Sequence, residues 1–315
     1  MTALEQFDPT TLQAVSVKNI LLATDLSASS KMALQYARAV AREHPPQHAK
    51  TARAGGPDRA SVHALHVGGR DEYQLLCPEA FAATFDRVSE TVDGLEILRV
   101  LMTGLPHEVP LHGTKVWEVI ADVAERNEID LVVLGTHGRK GLGKLLFGSV
   151  AEEVFRNVSC PVLTVGADVE PPKLDAAGQL QMQRILLATD FNPWSEAPVF
   201  ARRFCERFDA ELNALHVVPA AEPLGEGMPW RKVRDAIAAT NPEVLELRQK
   251  PFFLVEYGDP ATKILLVAEE IGAGMIVLGA HHPEEAGASS HVPWAIAARV
   301  IAGARCPVLT VRDRR

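Results

Sequence analysis

ILLATD, Ile20 to Asp25, returns unchanged as Ile185 to Asp190, and this repetition decides how the rest of the chain is read. Moving outward, ALHV stands at Ala64 to Val67 and at Ala214 to Val217, and VLG at Val133 to Gly135 and at Val277 to Gly279. CPVLTV closes both series, at Cys160 to Val165 and at Cys306 to Val311. Four matches in one order mark a duplicated unit. Between its first two matches the first copy is fifteen residues longer, where HPPQHAKTARAGGP (residues 44–57) has the composition of a loop insertion. In the last interval the second copy is longer by two residues.

The matched segments are short runs rich in Leu and Val without strict alternation, the pattern of strands buried on both faces. Helical periods lie between them: Lys31 to Arg42; Phe81, Phe85, Val88 and Val92; and Val116, Val119, Ile120 and Val123. Strand alternating with helix implies parallel strands joined by crossovers, with the sheet covered on both sides. The expected fold class is therefore α/β, two tandem doubly wound parallel-sheet domains. The expected boundaries are 1–166 and 183–315, separated by a polar, proline-containing linker over 167–182. A chain of 315 residues suits two domains of ordinary size. Pro161 to Val165 and Pro307 to Val311 are expected as apolar edge strands, which need covering.

A net charge of −8 disfavours a nucleic-acid partner, which needs a concentrated basic surface. No apolar run is long enough to cross a membrane, and MTALEQFDPTTLQAV at the N-terminus lacks the order of a signal peptide, so a cytoplasmic location is expected. Cys77, Cys160, Cys205 and Cys306 form no CxxC pair and are expected to be reduced, mostly buried thiols.

The stretch GTHGRKGLGKLLFGS, Gly135 to Ser149, joins the end of a strand to the start of a helix, where open α/β sheets bind ligands. Free N–H groups and the helix dipole favour an anion there. GRKGLGKL resembles a P-loop but has Leu145 where a Mg²⁺-coordinating hydroxyl is needed, and GxGxxG fails because Leu146 follows in place of glycine. Ser149 and Glu152 also fit a capping box, which needs no ligand.

Gly135, Gly138, nine further residues and then Gly148-Ser149 resemble the GxxGx9G[ST] signature of the universal stress protein family, in its ATP-binding branch. The ILLATD, ALHV, THG and CPVLTV segments are similar to that family's as well, so the resemblance covers nearly the whole chain. It implies an adenine-nucleotide alpha-hydrolase-like fold. The implied cofactor is ATP, with Mg²⁺ left open. Backbone around Gly135, Gly138, Gly148 and Ser149 would hold phosphates, where a side chain would block close approach. Thr24, Asp25 and Val67 match positions that line the adenine and ribose pocket. Leu134, His137, Arg139 and Val150 fall beside them. Taken alone, Asp25 is more often a turn residue that starts a helix, and loop cations such as Arg139, Lys140 and Lys144 are usually just solvated.

In the second copy the loop is GAHHPEEAGASSHVPWAIA, with His282 in place of the second glycine and Trp294 and Ala295 in place of Gly148 and Ser149. An indole and two carboxylates, Glu284 and Glu285, oppose phosphate there. His281, His282 and His291 lack metal-ligand spacing, so no metal is expected. The expected function is an ATP-binding or adenine-nucleotide-binding stress-response module. The alternatives are a slow ATPase or autophosphorylating enzyme, and a ligand-free partner-binding protein. No catalytic residue is assigned, and whether the chain is an enzyme stays open. The resemblance further implies an intramolecular pseudo-dimer of the two halves, with an unknown protein partner and further homo-oligomerisation left open.

Overall fold

The computed structural model describes residues 17–25, 27–42, 60–66, 100–102, 115–136, 149–192, 194–219, 229–280 and 292–312. The first copy contributes β1 (Asn19–Ala23), α1 (Ala28–Ala41), β2 (Ser61–His66), β3 (Val100–Met102), α2 (Val116–Arg126), β4 (Leu131–Gly135), α3 (Ser149–Asn157) and β5 (Val162–Val165). The second contributes β6 (Arg184–Ala188), α4 (Ala197–Phe208), β7 (Glu211–Val218), α5 (Pro229–Thr240), a 3₁₀ turn (Pro242–Glu246) and β8 (Phe252–Tyr257). It ends with α6 (Pro260–Glu270), β9 (Met275–Ala280), α7 (Val292–Gly303) and β10 (Val308–Arg312). The insertion at residues 44–57 and the helical period from Phe81 to Val92 lie outside the described residues.

The ten strands among the described residues form one sheet, in the order β3-β2-β1-β4-β5-β10-β9-β6-β7-β8. Neighbours within each half are parallel. The seam between halves is antiparallel and centred on Leu163 opposite Leu309, so the two apolar PVLTV edges cover each other.

Alternation along β1 divides the core, because successive side chains of a strand point to opposite faces. Ile20 and Leu22 join α1, α4 and α5 in one cluster that runs through both halves on one face. Leu21 joins α2 and α3 on the other face, through Val119, Ile120, Val123, Ala151 and Val154. In the second half, Leu186 packs with α6 and α7 through Ile264, Val267, Val300 and Ile301.

The linker packs closely against both halves, burying Val169, Leu180 and Met182 in the shared core. Tyr36 on α1 donates its hydroxyl to the Glu170 carbonyl at 2.8 Å, and the Arg42 guanidinium donates to the Gly178 carbonyl. Arg207 on α4 reaches across the halves to the carbonyls of Val40 and Arg42, which end α1. A cation at that end of a helix meets both its free carbonyls and its dipole. Among the described residues, no helix is long and apolar enough to cross a membrane.

Candidate functional site

β1 and β4 lie side by side, and the chain leaves them in opposite directions. After β1 it enters α1 on one face; after β4 it enters α3 on the other. Such divergence opens a crevice at the carboxyl ends of adjacent strands. Two main-chain bonds hold its rim: Thr24 N–H donates to the Leu65 carbonyl of β2 at 2.9 Å, and Thr136 N–H to the Val165 carbonyl of β5 at 3.0 Å.

Asp25 organises the start of α1. Its Oδ1 accepts the Ser27 N–H at 3.0 Å and the Ser30 hydroxyl, while its own N–H donates to Ser30 Oγ at 3.2 Å. Ser27 caps the helix by accepting the Ser30 N–H at 3.3 Å. A short polar side chain bonding to the backbone two residues on is a turn device, so the helix-starting role of Asp25 is realised. The carboxylate is exposed at the rim, whereas Ser30 is buried beneath it.

Leu134 is buried at the end of β4, and Ser149 is the first residue of α3. Val150, in the first turn of that helix, is 41% exposed. Glu152 holds Arg156 one turn further on, at 2.6 Å. Thr24 and Asp25 thus follow β1, Leu134 and Gly135 end the neighbouring β4, and Ser149 and Val150 open α3. Val67, His137, Gly138, Arg139, Lys140, Lys144 and Gly148 lie outside the described residues.

Gly135 has a steric reason of its own. A Cβ there would stand 2.5 Å from the carbonyl carbon of Ser29 and 2.8 Å from the nitrogen of Ser30, both main-chain atoms of the first turn of α1. At Gly279, its counterpart, a Cβ would meet Ser195 Oγ at 2.6 Å. Both copies thus keep a glycine where the end of this strand passes the chain at the start of the helix after the neighbouring strand, α1 or α4, which accounts for Gly279 in a loop that has lost the rest of the signature.

The second crevice repeats the frame, with Thr189 N–H bonded to the Leu215 carbonyl at 2.9 Å and Asp190 Oδ1 accepting the Asn192 N–H at 3.1 Å. Phe191, at φ 67°, stacks on His216 with ring centroids 4.0 Å apart, and His216 Nδ1 lies 2.8 Å from the Thr189 carbonyl. Sequence reasoning missed this pair, and the histidine inside the repeated ALHV was the available signal. α7 starts at Val292, so Trp294 and Ala295 lie inside the helix and not at its first residue. Residues 281–291, with the three histidines and the two glutamates, are outside the described residues.

The sequence profile of the universal stress protein family matches residues 16–166 and 182–312. A universal stress protein of Methanocaldococcus jannaschii is 31% identical over 156 residues, covering 47% of this chain and 81% of its own length. One from Mycobacterium bovis is 29% identical over 196 residues, covering 59% of this chain and 63% of its own. The crystal structure of a universal stress protein from Archaeoglobus fulgidus superposes with a TM-score of 0.62 at 21% identity, over 95% of this chain and 97% of that one. A Pseudomonas aeruginosa structure described as functionally unknown gives 0.60 at 15% identity, over 95% and 94%. The chain belongs to the universal stress protein family, as a tandem member with two matching regions joined in one sheet.

Proposed function

We propose that the first copy binds an adenine nucleotide, ATP foremost, and that occupancy alters what the protein contacts in a stress response. The observation that carries this reading is placement. The Gly135, Gly138, Gly148-Ser149 spacing starts at the last residue of β4 and ends at the first residue of α3, beside the Asp25 turn that ends β1.

In this reading the loop backbone and the positive end of α3 face the phosphates, while Thr24, Asp25 and Val67 border the adenosine. His137 and Arg139 supply positive charge or donors near the phosphates, and Leu134 and Val150 supply apolar contact. The described residues fit such a group. Val150 is an exposed apolar side chain in the first turn of α3, which a bound nucleotide would cover, and Asp25 is an exposed residue just after β1. When bound, the nucleotide supplies the phosphate charge, and the chain's part is to hold and orient it. The second copy, with Trp294 and Ala295 inside a helix, is read as a partner half without this ligand.

The test is the nucleotide content of purified protein, released by denaturation and identified by mass, beside a Gly138→Val, Gly148→Val double variant. One adenine nucleotide per chain in the parent and none in the folded variant is expected. An empty parent whose melting temperature does not respond to millimolar ATP overturns the reading.

A further inference from the structure

The ten-stranded sheet has two ends, β3 and β8. Among the described residues β3 has three, whereas β8 is six residues long, with the sequence FFLVEY. Among the described residues β8 pairs only with β7. Gly258 N–H donates to the Val218 carbonyl of β7 at 2.9 Å. Because main-chain groups alternate in direction along a strand, those of Phe252, Leu254 and Glu256 face β7, and those of Phe253, Val255 and Tyr257 face outward. Phe252 is 54% exposed and Tyr257 50%. Glu256 is the one charge on the strand, and the strand contains no proline. Proteins usually blunt a long apolar edge with such devices, since an open edge is a template for another strand.

The segment KPFFLVE, Lys250 to Glu256, is complementary to itself when run antiparallel. A two-fold axis through Phe253 sets Lys250 opposite Glu256 at both ends. It also sets Phe252 opposite Leu254, Pro251 opposite Val255, and Phe253 opposite its own copy. Each opposed pair shares a face of the sheet, as cross-strand partners must. The central Phe253 pair has outward-facing main-chain groups and can exchange two N–H···O=C bonds. The missing N–H of Pro251 removes one donor from each end and leaves the centre intact. Lys250 is exposed and makes no ion pair among the described residues, while Glu256, bonded to Lys263 at 2.9 Å, keeps 39% of its side chain exposed. The chain already closes two edges in this way, where β5 and β10 pair antiparallel about Leu163 and Leu309.

We propose that β8 is a pairing edge for a second copy of this chain, joined antiparallel about Phe253 with Lys250 and Glu256 in reciprocal ion pairs. The product is a dimer in which the sheet continues across the axis. It does not depend on nucleotide binding.

Sedimentation velocity of the full chain over a concentration series, at low and high salt, tests this. A concentration-dependent dimer, weaker at high salt, is expected. Phe253→Pro removes an outward N–H while leaving the bonds to β7, and gives a monomer. Lys250→Glu and Glu256→Lys each place like charges together at both ends and weaken dimerisation by about tenfold or more. Mixed in equal amounts, the two variants recover the dimer, because every end then pairs a glutamate with a lysine. Melting curves confirm that each variant is folded. A parent that stays monomeric at high micromolar concentration overturns the proposal. So does a dimer that survives Phe253→Pro in a folded protein, or a mixture that associates no better than either variant alone.

Discussion

Thr310 and Thr164 occupy matching places on the two strands of the seam, yet their hydroxyls fare differently. Thr310 Oγ1 donates to the Val162 carbonyl at 3.1 Å, whereas Thr164 Oγ1, equally buried, has no partner among the described residues. A buried hydroxyl with its bond made contributes about 1 kcal/mol, and one without costs desolvation that a methyl group does not. Thr310→Val is therefore expected to destabilise by about 1 kcal/mol, and Thr164→Val to be neutral or stabilising. Urea unfolding of both variants decides it, and equal losses would show that the two hydroxyls are equivalent in solution.

Gly135→Ala forces a Cβ against main-chain atoms of α1, which cannot rotate away as a side chain can. A loss of about 1–3 kcal/mol is expected without any nucleotide present. Gly279→Ala should cost less, because the Ser195 hydroxyl can turn aside. Unfolding of nucleotide-free protein checks both. A Gly135→Ala protein as stable as the parent would remove the steric reason for that glycine.

Asp25 separates two roles by substitution. Asparagine keeps an oxygen for the Ser27 N–H and should preserve stability, while alanine should cost about 1 kcal/mol, as loss of a helix-starting acceptor does. If Asp25 also meets the ribose as proposed, both variants bind nucleotide more weakly than the parent. Calorimetric titration beside thermal melting distinguishes the two effects.

Burial pushes the thiols of Cys160 and Cys306 up to about 12, and raises that of Cys205 as well. Native protein at pH 8 should leave these three unalkylated by iodoacetamide, and denatured protein should label all of them, as peptide masses will show. A thiol raised in the folded state binds its proton more tightly there than in the unfolded chain. The stability it contributes is present below the ordinary thiol value and is lost as pH climbs towards the folded value near 12.

The four repeated segments locate β1, β2, β4 and β5 and their counterparts because strands buried on both faces must be apolar throughout. The three- and four-residue spacing of Val116, Val119, Ile120 and Val123 likewise announces α2. Asp25 and Gly135 were legible as candidate site positions from where strands end. The steric reason for Gly135 was not, since it depends on where α1 crosses. Arg207 and the carbonyl of Val40 are 167 residues apart, and no local pattern signals such a bond. The linker's buried Val169, Leu180 and Met182 follow no period because they fill space left by two other elements. β8 was missed as a feature because its complementarity is to itself and not to the first copy.

The antiparallel seam of β5 and β10 joins two parts of a single chain. Its strands meet at a tethered effective concentration, typically millimolar for a short linker, so dilution does not part them. In a dimer of identical subunits, any residue lost from one crevice is lost from both. Here the halves can diverge while their stoichiometry stays locked at one to one. If, as proposed, only the first copy holds nucleotide, each chain should take up one at saturation, with no second site in the same chain to cooperate with.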